Sequence, residues 1–278
     1  MKLHVIDTGF FKLDGGAMFG VVPKTIWEKT NPPDANNLCT WAMRCLLIED
    51  GNRLILIDNG IGDKQDAKFL SYYYLHGEDS LIKSIRRAGF SESDITDMFI
   101  THLHFDHCGG GVKRNGEGFA LTFPNATYWS NEDHWQWATK PNAREKASFL
   151  KENILPIQES GHLKMVRPQE ASPFPQMEIF YVSGHTDKMM IPMIQYKGRT
   201  ICFVADLIPS ASHIPVPYVM GYDTRPLITM EEKERFLKEA AEKKYVLYFE
   251  HDPLIECCTV AAVDGRVRLE NKFRLSEL

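Results

Sequence analysis

The chain has 278 residues, of which 44% are hydrophobic and 25% are charged, and its formal net charge is −5. This length suits one large α/β domain or two small ones and is sufficient to bury a sizeable core. The acidic balance and the absence of a Lys/Arg run argue against a nucleic-acid partner, and the ordinary composition argues against disorder.

The cysteines and the N-terminus indicate the compartment. Several of the six cysteines lie in apolar runs typical of core strands, and free thiols in a reducing compartment explain them best. The N-terminal segment is interrupted by His4 and Asp7 before a secretory apolar region could form. No stretch approaches the length of a membrane span. We therefore expect a cytoplasmic protein with no membrane partner.

The first forty residues predict one strand and one long loop. Residues 3 to 6 are apolar enough for a strand, and a turn follows them. Residues 10 to 40 alternate aromatic residues, glycine and proline without a helical or strand period. Long loops of this kind often form lids or binding walls, which makes Phe19 a candidate for the substrate pocket.

The next segments predict a hairpin and a helix. Runs at 43 to 48 and 53 to 57 are typical of strands and flank a Glu-Asp-Gly-Asn turn, after which Asp58 follows. Residues 61 to 78 include three consecutive tyrosines and form either an inserted segment near the site or a dimer contact. Residues 78 to 88 carry apolar side chains at helical spacing, and a glycine follows them.

The densest group of metal-binding side chains lies at residues 101 to 111, which read Thr-His-Leu-His-Phe-Asp-His-Cys-Gly-Gly-Gly. The three apolar residues before this run predict a short buried strand, and α/β proteins collect functional groups where such strands end. Side chains alternate along an extended chain, so His102 and His104 point to the same side and can bind one ion. The adjacent Asp106 and His107 suit a turn that serves a second ion.

The donor types favour a catalytic metal site. Imidazole and carboxylate are ligands of zinc, and also of iron and manganese, whereas thiolates are scarce in this run. Surface histidines grouped by chance are the alternative, but four donors in six residues make that interpretation much weaker than it is for one histidine.

The sequence His-x-His-x-Asp-His at residues 102 to 107 resembles the signature of the metallo-β-lactamase superfamily. The resemblance implies an α/β fold of the αββα sandwich type, with two mixed β-sheets flanked by helices, in a single domain over residues 1 to 278. It also implies one or two metal ions at the sheet edge and further ligands later in the chain. In the family an aspartate at the place of Asp58 supports a metal-binding histidine and fixes its ring.

Three later residues match the remaining family ligands, and each follows a run typical of a strand. His185 stands after Ser-Gly and completes a three-histidine set, Asp206 matches the bridging carboxylate, and His251 matches the last ligand. Many relatives continue after the position of His185 with Pro-Gly-His, which this chain lacks, so the glyoxalase II branch is disfavoured. Four other histidines fall outside this pattern and are interpreted as surface or packing residues: His4, His76, His134 and His162.

The rest of the chain predicts helices and a second wall of the pocket. Helices are expected at 132 to 137, capped by Asn131, at 143 to 153, and at 230 to 243, capped by Thr229. Residues 207 to 228 are rich in proline and lack a regular period. With Phe19, the candidate pocket residues are Phe105, His213, Tyr218 and Tyr222.

The resemblance assigns His102, His104 and His185 to one ion and the other donors to a second, with Asp206 between them. The expected ions are two divalent metals, zinc first, with iron or manganese as alternatives. A water that bridges them loses a proton near neutral pH, and the resulting hydroxide opens a lactone or cleaves an ester. Asp106 is a candidate to pass a proton to the leaving group.

Substrate class follows more weakly. The run His-Leu-His-Phe-Asp-His-Cys-Gly-Gly, together with Ala-Asp-Leu-Ile-Pro at 205 to 209, is most similar to the quorum-quenching N-acyl homoserine lactonase-like branch, which implies a small acyl lactone. The alternatives are an aryl-ester or organophosphate hydrolase, a mononuclear iron persulfide dioxygenase, and a non-catalytic ligand sensor, against which the intact ligand set weighs. A homodimer is compatible with the sequence.

Overall fold

The computed structural model describes residues 1–278, which form two compact units. The first unit comprises Met1–Gly9 and Met43–Pro173, and the second comprises Phe10–Ala42 and Phe174–Leu278. Two long strands, β1 (Lys2–Asp14) and β2 (Leu38–Asp50), contribute residues to both units. A single domain over residues 1 to 278 stays a prediction.

The first unit carries a six-stranded mixed sheet and a separate hairpin. Besides β1 and β2, its strands are β3 (Arg53–Ile57), β4 (Asp97–Phe99), β5 (Val112–Asn115), β6 (Gly118–Leu121), β7 (Thr127–Asn131) and β8 (Leu163–Val166). The sheet order is β1-β2-β3-β4-β7-β8, with β5 and β6 forming the hairpin. Strands β3, β4, β7 and β8 are mutually parallel. The helices are α3 (Ala67–Ser71), α4 (Leu81–Arg87), α5 (Phe105–Cys108), α6 (Glu132–Thr139) and α7 (Lys151–Glu159).

The second unit carries the other six-stranded mixed sheet. Its strands are β9 (Met177–Val182), β10 (Met189–Tyr196), β11 (Arg199–Phe203), β12 (Val246–Tyr248), β13 (Cys257–Val263) and β14 (Arg266–Phe273), in the order β14-β13-β12-β11-β10-β9. The β11–β12 pair is parallel, and the other neighbouring pairs are antiparallel. The helices are α1 (Gly15–Phe19), α2 (Lys24–Trp27) and α8 (Pro226–Lys243). Two mixed sheets with helices confirm the expected α/β class.

Two of the parallel strands in the first unit, β3 and β4, are buried along most of their length. All three residues of β4 are buried, as are four of the five in β3, because helices and loops cover parallel sheets and leave little polar surface. Ile85 of α4 packs into the same core. The predicted hairpin, the strand before the histidine run and the α4 helix are therefore present, and Ser80 caps α4 through its side chain.

The prediction for the N-terminal segment is wrong in its extent. Strand β1 runs thirteen residues to Asp14, through Gly9 at φ 101°, and the expected loop contains α1 and α2 before β2 begins. Only Ile6 and Phe11 of β1 are buried, and they lie five residues apart. Because no two-residue alternation results, the sequence does not show the strand's length.

Two helix boundaries also differ from the prediction. Residues 143 to 148 form turns, and α7 begins only at Lys151. The Asn142 side chain accepts hydrogen bonds from the backbone N–H of Arg144 and Glu145 and stabilises the first turn. Helix α8 begins four residues before the expected start, with Pro226 in its first turn, so Thr229 lies inside the helix and does not cap it.

No helix of the structure combines the length and the apolar composition that a membrane span needs.

The glycine run after the ligands leaves no room for side chains. A Cβ atom on Gly110 would lie 2.2 Å from the carbonyl oxygen of Asn59, whereas a Cβ on the exposed Gly118 of β6 would lie 3.8 Å from its nearest neighbour. We expect Gly110→Ala to lower the free energy of unfolding by roughly 1–3 kcal/mol. Denaturant titration of the metal-free protein measures this, with Gly118→Ala as the matched control within about 0.5 kcal/mol of wild type. Equal effects of the two variants would refute the packing account.

Candidate metal centre

His102 and His104 follow the buried strand β4 and face one another. His102 Nε2 lies 3.1 Å from His104 Nδ1, and both side chains are buried. His104 has an extended backbone and occupies the N-cap position of the short helix α5. Its ring lies on the same side of the chain as that of His102, as the spacing predicts. Each ring thus directs one nitrogen toward the same point, which is the arrangement that a shared cation requires.

Asp106 and His107 lie on α5, and Asp58 contacts the Nδ1 atom of His107. The Asp58 carboxylate lies 3.0 Å from His107 Nδ1 and accepts hydrogen bonds from the N–H and hydroxyl of Thr101. His107 Nε2 therefore remains on the side of Asp106, 3.9 Å from its Oδ2. Asp58 is fully buried and has φ 54°, a strained value that its three hydrogen bonds offset.

The segment after Asp58 fixes the glycine run that follows the ligands. The Asn59 N–H donates to the His107 carbonyl, and the Asn59 side chain accepts from the Gly111 N–H. The buried Lys64 donates to the Gly109 carbonyl, and burial lowers the pKa of its ammonium to about 8. Sequence reasoning missed Asn59 and Lys64, for which no local pattern gave a signal.

In the second unit, one carboxylate lies between two histidines. Asp206 Oδ2 is 3.0 Å from His185 Nε2, and Asp206 Oδ1 is 3.0 Å from His251 Nε2. The three residues follow strands β9, β11 and β12, and all are buried. Each oxygen of Asp206 thus faces a different imidazole, as a carboxylate that bridges two cations would. Ala205, just before it, has φ 41°, which is strained for a residue other than glycine.

Protein groups also contact the Nδ1 atoms of His185 and His251, the ring nitrogens that do not face Asp206. His185 Nδ1 lies 2.8 Å from Asp223 Oδ1, and His251 Nδ1 lies 2.8 Å from the Ala42 carbonyl. Burial lowers the pKa of His185, but Asp206 and Asp223 outweigh it and raise that pKa to about 10. The two carboxylates therefore favour a positive charge between them, on or beside the His185 ring. Sequence reasoning missed Asp223.

Segment 223 to 232 further fixes the backbone around His185. The Thr224 N–H donates to the His185 carbonyl, and the Arg225 N–H donates to the Gly184 carbonyl. The Glu232 carboxylate accepts from the N–H groups of Ser183 and Gly184. These contacts hold the backbone on both sides of His185.

The donor set suits a metal ion. Ligand atoms of His102 and His104, of Asp106 and His107, and of Asp206 with His185 lie within 4.8 Å of one another in their respective groups. All are imidazole nitrogens or carboxylate oxygens, which zinc, iron and manganese accept. Crowding several such groups in a buried place is costly unless a cation compensates their charge. The residues therefore fit the divalent metal that the sequence predicts.

Three predicted pocket residues form one aromatic cluster in the second unit. The Phe19 ring stacks on His213 at 4.5 Å and meets Tyr218 edge-on at 6.5 Å, while Tyr222 is exposed. His213 is fully buried, and its nitrogens lie 2.8 Å from Ser210 Oγ and 2.9 Å from the Met18 carbonyl. Their contact with a substrate stays a prediction.

Phe105, the fifth predicted pocket residue, contacts the tyrosine segment. Its ring lies 4.7 Å from Tyr73 and 5.4 Å from Phe69, so this segment packs against the ligand run, one of its two expected placements. Burial and, to a smaller extent, the charge of Asp106 together raise the pKa of Tyr73 to about 12. Sequence reasoning did not single out Tyr73. The dimer contact stays untested, although Tyr72 is 61% exposed.

Comparison with known proteins identifies the family. The sequence profile of the metallo-β-lactamase superfamily matches residues 44–251, a range that includes every proposed ligand, and the chain belongs to this superfamily. Its expected fold is thereby confirmed.

Similar proteins include hydrolases and lactonases. N-acyl homoserine lactonase AiiA of Bacillus thuringiensis subsp. kurstaki is 23% identical, with 90% of this chain and 93% of that protein covered. The structure of a probable metal-dependent hydrolase from Staphylococcus aureus is 27% identical, with a TM-score of 0.89 over 98% of this chain and 96% of that one. AidC, a dizinc quorum-quenching lactonase solved with a product, is 24% identical, with a TM-score of 0.79 over 99% and 97%.

The buried His213 predicts a pH dependence of stability. Burial lowers the pKa of His213 to about 3 in the folded protein, whereas an unfolded histidine titrates at about 6.5. Between these values the unfolded state binds more protons, so stability rises with pH. We expect His213→Gln to reduce this slope by up to ~1.4 kcal/mol per pH unit. Denaturant unfolding of the metal-free protein from pH 4 to 7 measures this slope, with the variant His76→Gln at an exposed position as control. An unchanged slope in His213→Gln would contradict the prediction.

Proposed function

We propose that the protein is a metal-dependent hydrolase that opens a lactone or cleaves an ester with the aid of two divalent ions, zinc first. The observation that carries the proposal is Asp206, whose two oxygens each lie 3.0 Å from a different histidine nitrogen. A carboxylate in this arrangement suits two cations better than one. The proposed ligands are His102, His104, Asp106, His107, His185, Asp206 and His251.

The proposal divides the ligands between two ions. His102, His104 and His185 would hold one ion, Asp106, His107 and His251 would hold the other, and Asp206 would contribute to both. Family membership supports this division, as does the pairing of donors within each unit. Bound at these residues, the two ions would activate a water for attack and polarise the substrate carbonyl.

The chain's own residues set the geometry and move the proton. Asp58 and Asp223 keep His107 and His185 oriented, so the donor atoms need no rearrangement during turnover. Asp106 takes up the proton of the attacking water and returns it to the leaving oxygen. Tyr73, whose ring lies 4.7 Å from that of Phe105, stays protonated near neutral pH, so its hydroxyl could donate a hydrogen bond to a substrate oxygen.

A small acyl lactone is the proposed substrate class. Similarity to N-acyl homoserine lactonases over 90% of the chain supports it, and so does the net charge of −5, which disfavours polyanionic substrates. The aromatic cluster of Phe19 and Tyr218 supplies apolar surface suited to an acyl chain. We propose a cytoplasmic location because all six cysteines are buried and unbridged, as in a reducing compartment.

A substrate panel tests the proposed function. Hydrolysis of an acyl homoserine lactone, a simple γ-lactone and an aryl ester is measured before chelation, after chelation and after reloading with Zn²⁺. We expect lactone turnover that chelation abolishes and Zn²⁺ restores. Turnover that survives complete metal removal would overturn the proposal. A metal-loaded protein that is inactive on the whole panel would favour the ligand sensor instead.

Asp106→Asn tests the proton transfer. The amide keeps the shape of the side chain but cannot accept and return a proton, so we expect kcat to fall by roughly 10²–10⁴-fold. Metal content is measured on the same sample, since the proposal concerns the variant that retains its metal. Asp133→Asn, at an exposed position of α6, is the matched control and should leave kcat unchanged. Full turnover in a metal-loaded Asp106→Asn variant would exclude this role.

A further inference from the structure

The orientation of the His104 ring requires a partner for its second nitrogen. His104 Nδ1 faces His102 Nε2 at 3.1 Å, so Nδ1 is the atom placed to bind a metal. A neutral imidazole that binds through Nδ1 carries its proton on Nε2. His104 Nε2 lies 3.4 Å from Oε1 of Glu145, whose side chain lies 41 residues further along the chain and is only 3% exposed.

The Glu145 side chain is itself fixed by hydrogen bonds. Its second oxygen, Oε2, accepts hydrogen bonds from Trp137 Nε1 at 2.7 Å and from Asn142 Nδ2 at 2.6 Å. The Asn142 side-chain oxygen in turn accepts from the Glu145 N–H at 3.1 Å. With Oε2 bound on two sides, the carboxylate has little freedom to rotate, and Oε1 is presented to His104.

The surrounding loop holds the same ligand segment by other contacts. The Phe149 ring packs on His104 at 4.8 Å, and the Ser148 carbonyl accepts from the Phe105 N–H at 3.0 Å. His134, on α6, accepts from the Leu103 N–H at 2.8 Å, so this buried histidine is a packing residue with a defined hydrogen bond. Residues 131 to 149 therefore contact the backbone around His104, its ring and its Nε2 atom.

We propose that Glu145 is a positioning residue of the metal centre, which accepts a hydrogen bond from Nε2–H of His104 and thereby directs Nδ1 to the metal. The inference rests on the proposed function, because it needs a metal at His104. A buried carboxylate stabilises the protonated Nε2 more strongly than a neutral acceptor, and its charge makes the ligating nitrogen a better donor. Loss of such partners typically costs 10–100-fold in metal affinity.

Glu145→Gln tests the inference, since the amide keeps the shape and removes the charge. Zn²⁺ affinity is measured by competition with a chromophoric chelator. We expect the Zn²⁺ dissociation constant of the variant to be roughly 10–100-fold larger than that of wild type. The matched control is Asp97→Asn, because Asp97 is also a buried carboxylate that accepts from an indole, that of Trp129 at 2.8 Å. Asp97 pairs with Arg53 rather than with a proposed ligand, so Asp97→Asn should retain wild-type affinity.

Nitrogen NMR of ¹⁵N-histidine-labelled protein gives a second readout that does not depend on activity, and its wild-type result does not depend on any variant folding. In the zinc-loaded wild type, we expect His104 to carry its proton on Nε2 and its metal on Nδ1. In Glu145→Gln the resonance of this proton should move upfield, because a hydrogen bond to an amide oxygen is weaker than one to a carboxylate.

The outcomes separate the inference from the proposed function. A wild-type protein that binds no Zn²⁺ would overturn both. Normal Zn²⁺ binding in wild type with equal affinity in Glu145→Gln would overturn the positioning role alone. An equal loss of Zn²⁺ affinity in Glu145→Gln and Asp97→Asn would also overturn the positioning role, because a general loss of stability would then explain both results. A proton on Nδ1 of wild-type His104 would contradict the proposed orientation directly.

Discussion

The structure around the candidate metal centre depends on one constraint: an imidazole has two nitrogens, and a metal takes only one. The other must be paired with a protein group, since an unpaired buried polar atom costs about 1–3 kcal/mol and would let the ring turn. In this protein a different partner satisfies each ring. The pairs of ring and partner are His102 with the Thr101 hydroxyl, His104 with Glu145, His107 with Asp58, His185 with Asp223 and His251 with the Ala42 carbonyl.

These pairings explain features that are unfavourable in isolation. Asp58 adopts a left-handed backbone conformation, and Ala205 does the same just before Asp206. Such conformations cost about 1–3 kcal/mol each and persist where the surroundings fix them. The glycine run after His107 lies so close to Asn59 and Ile61 that Cβ atoms have no room. A bound cation would repay part of this cost, because it compensates carboxylates that burial otherwise disfavours.

The proposed ligands could be selected from the sequence, whereas most of the groups that pair with their rings could not. His102 and His104 follow a buried strand at a spacing that itself indicates a shared site, and the family resemblance supplied Asp58. Glu145 is 41 residues from the ring that it holds, and Asp223 is 38 residues from its own, with no local pattern to link them. The same applies to the fold. Buried parallel strands were recognisable from apolar runs, but β1 buries too few side chains to show its length.

Metal content per chain, combined with X-ray absorption at the metal edge, shows whether the proposed ligands hold two ions. The protein is purified without added metal, reloaded with Zn²⁺ and freed of excess. We expect two zinc ions per chain with only nitrogen and oxygen donors, and zinc–nitrogen distances of about 2.0–2.1 Å for the histidines. One ion per chain would contradict the role of Asp206 as a bridge between two ions. No ion, or sulfur among the donors, would contradict the assignment of these seven ligands.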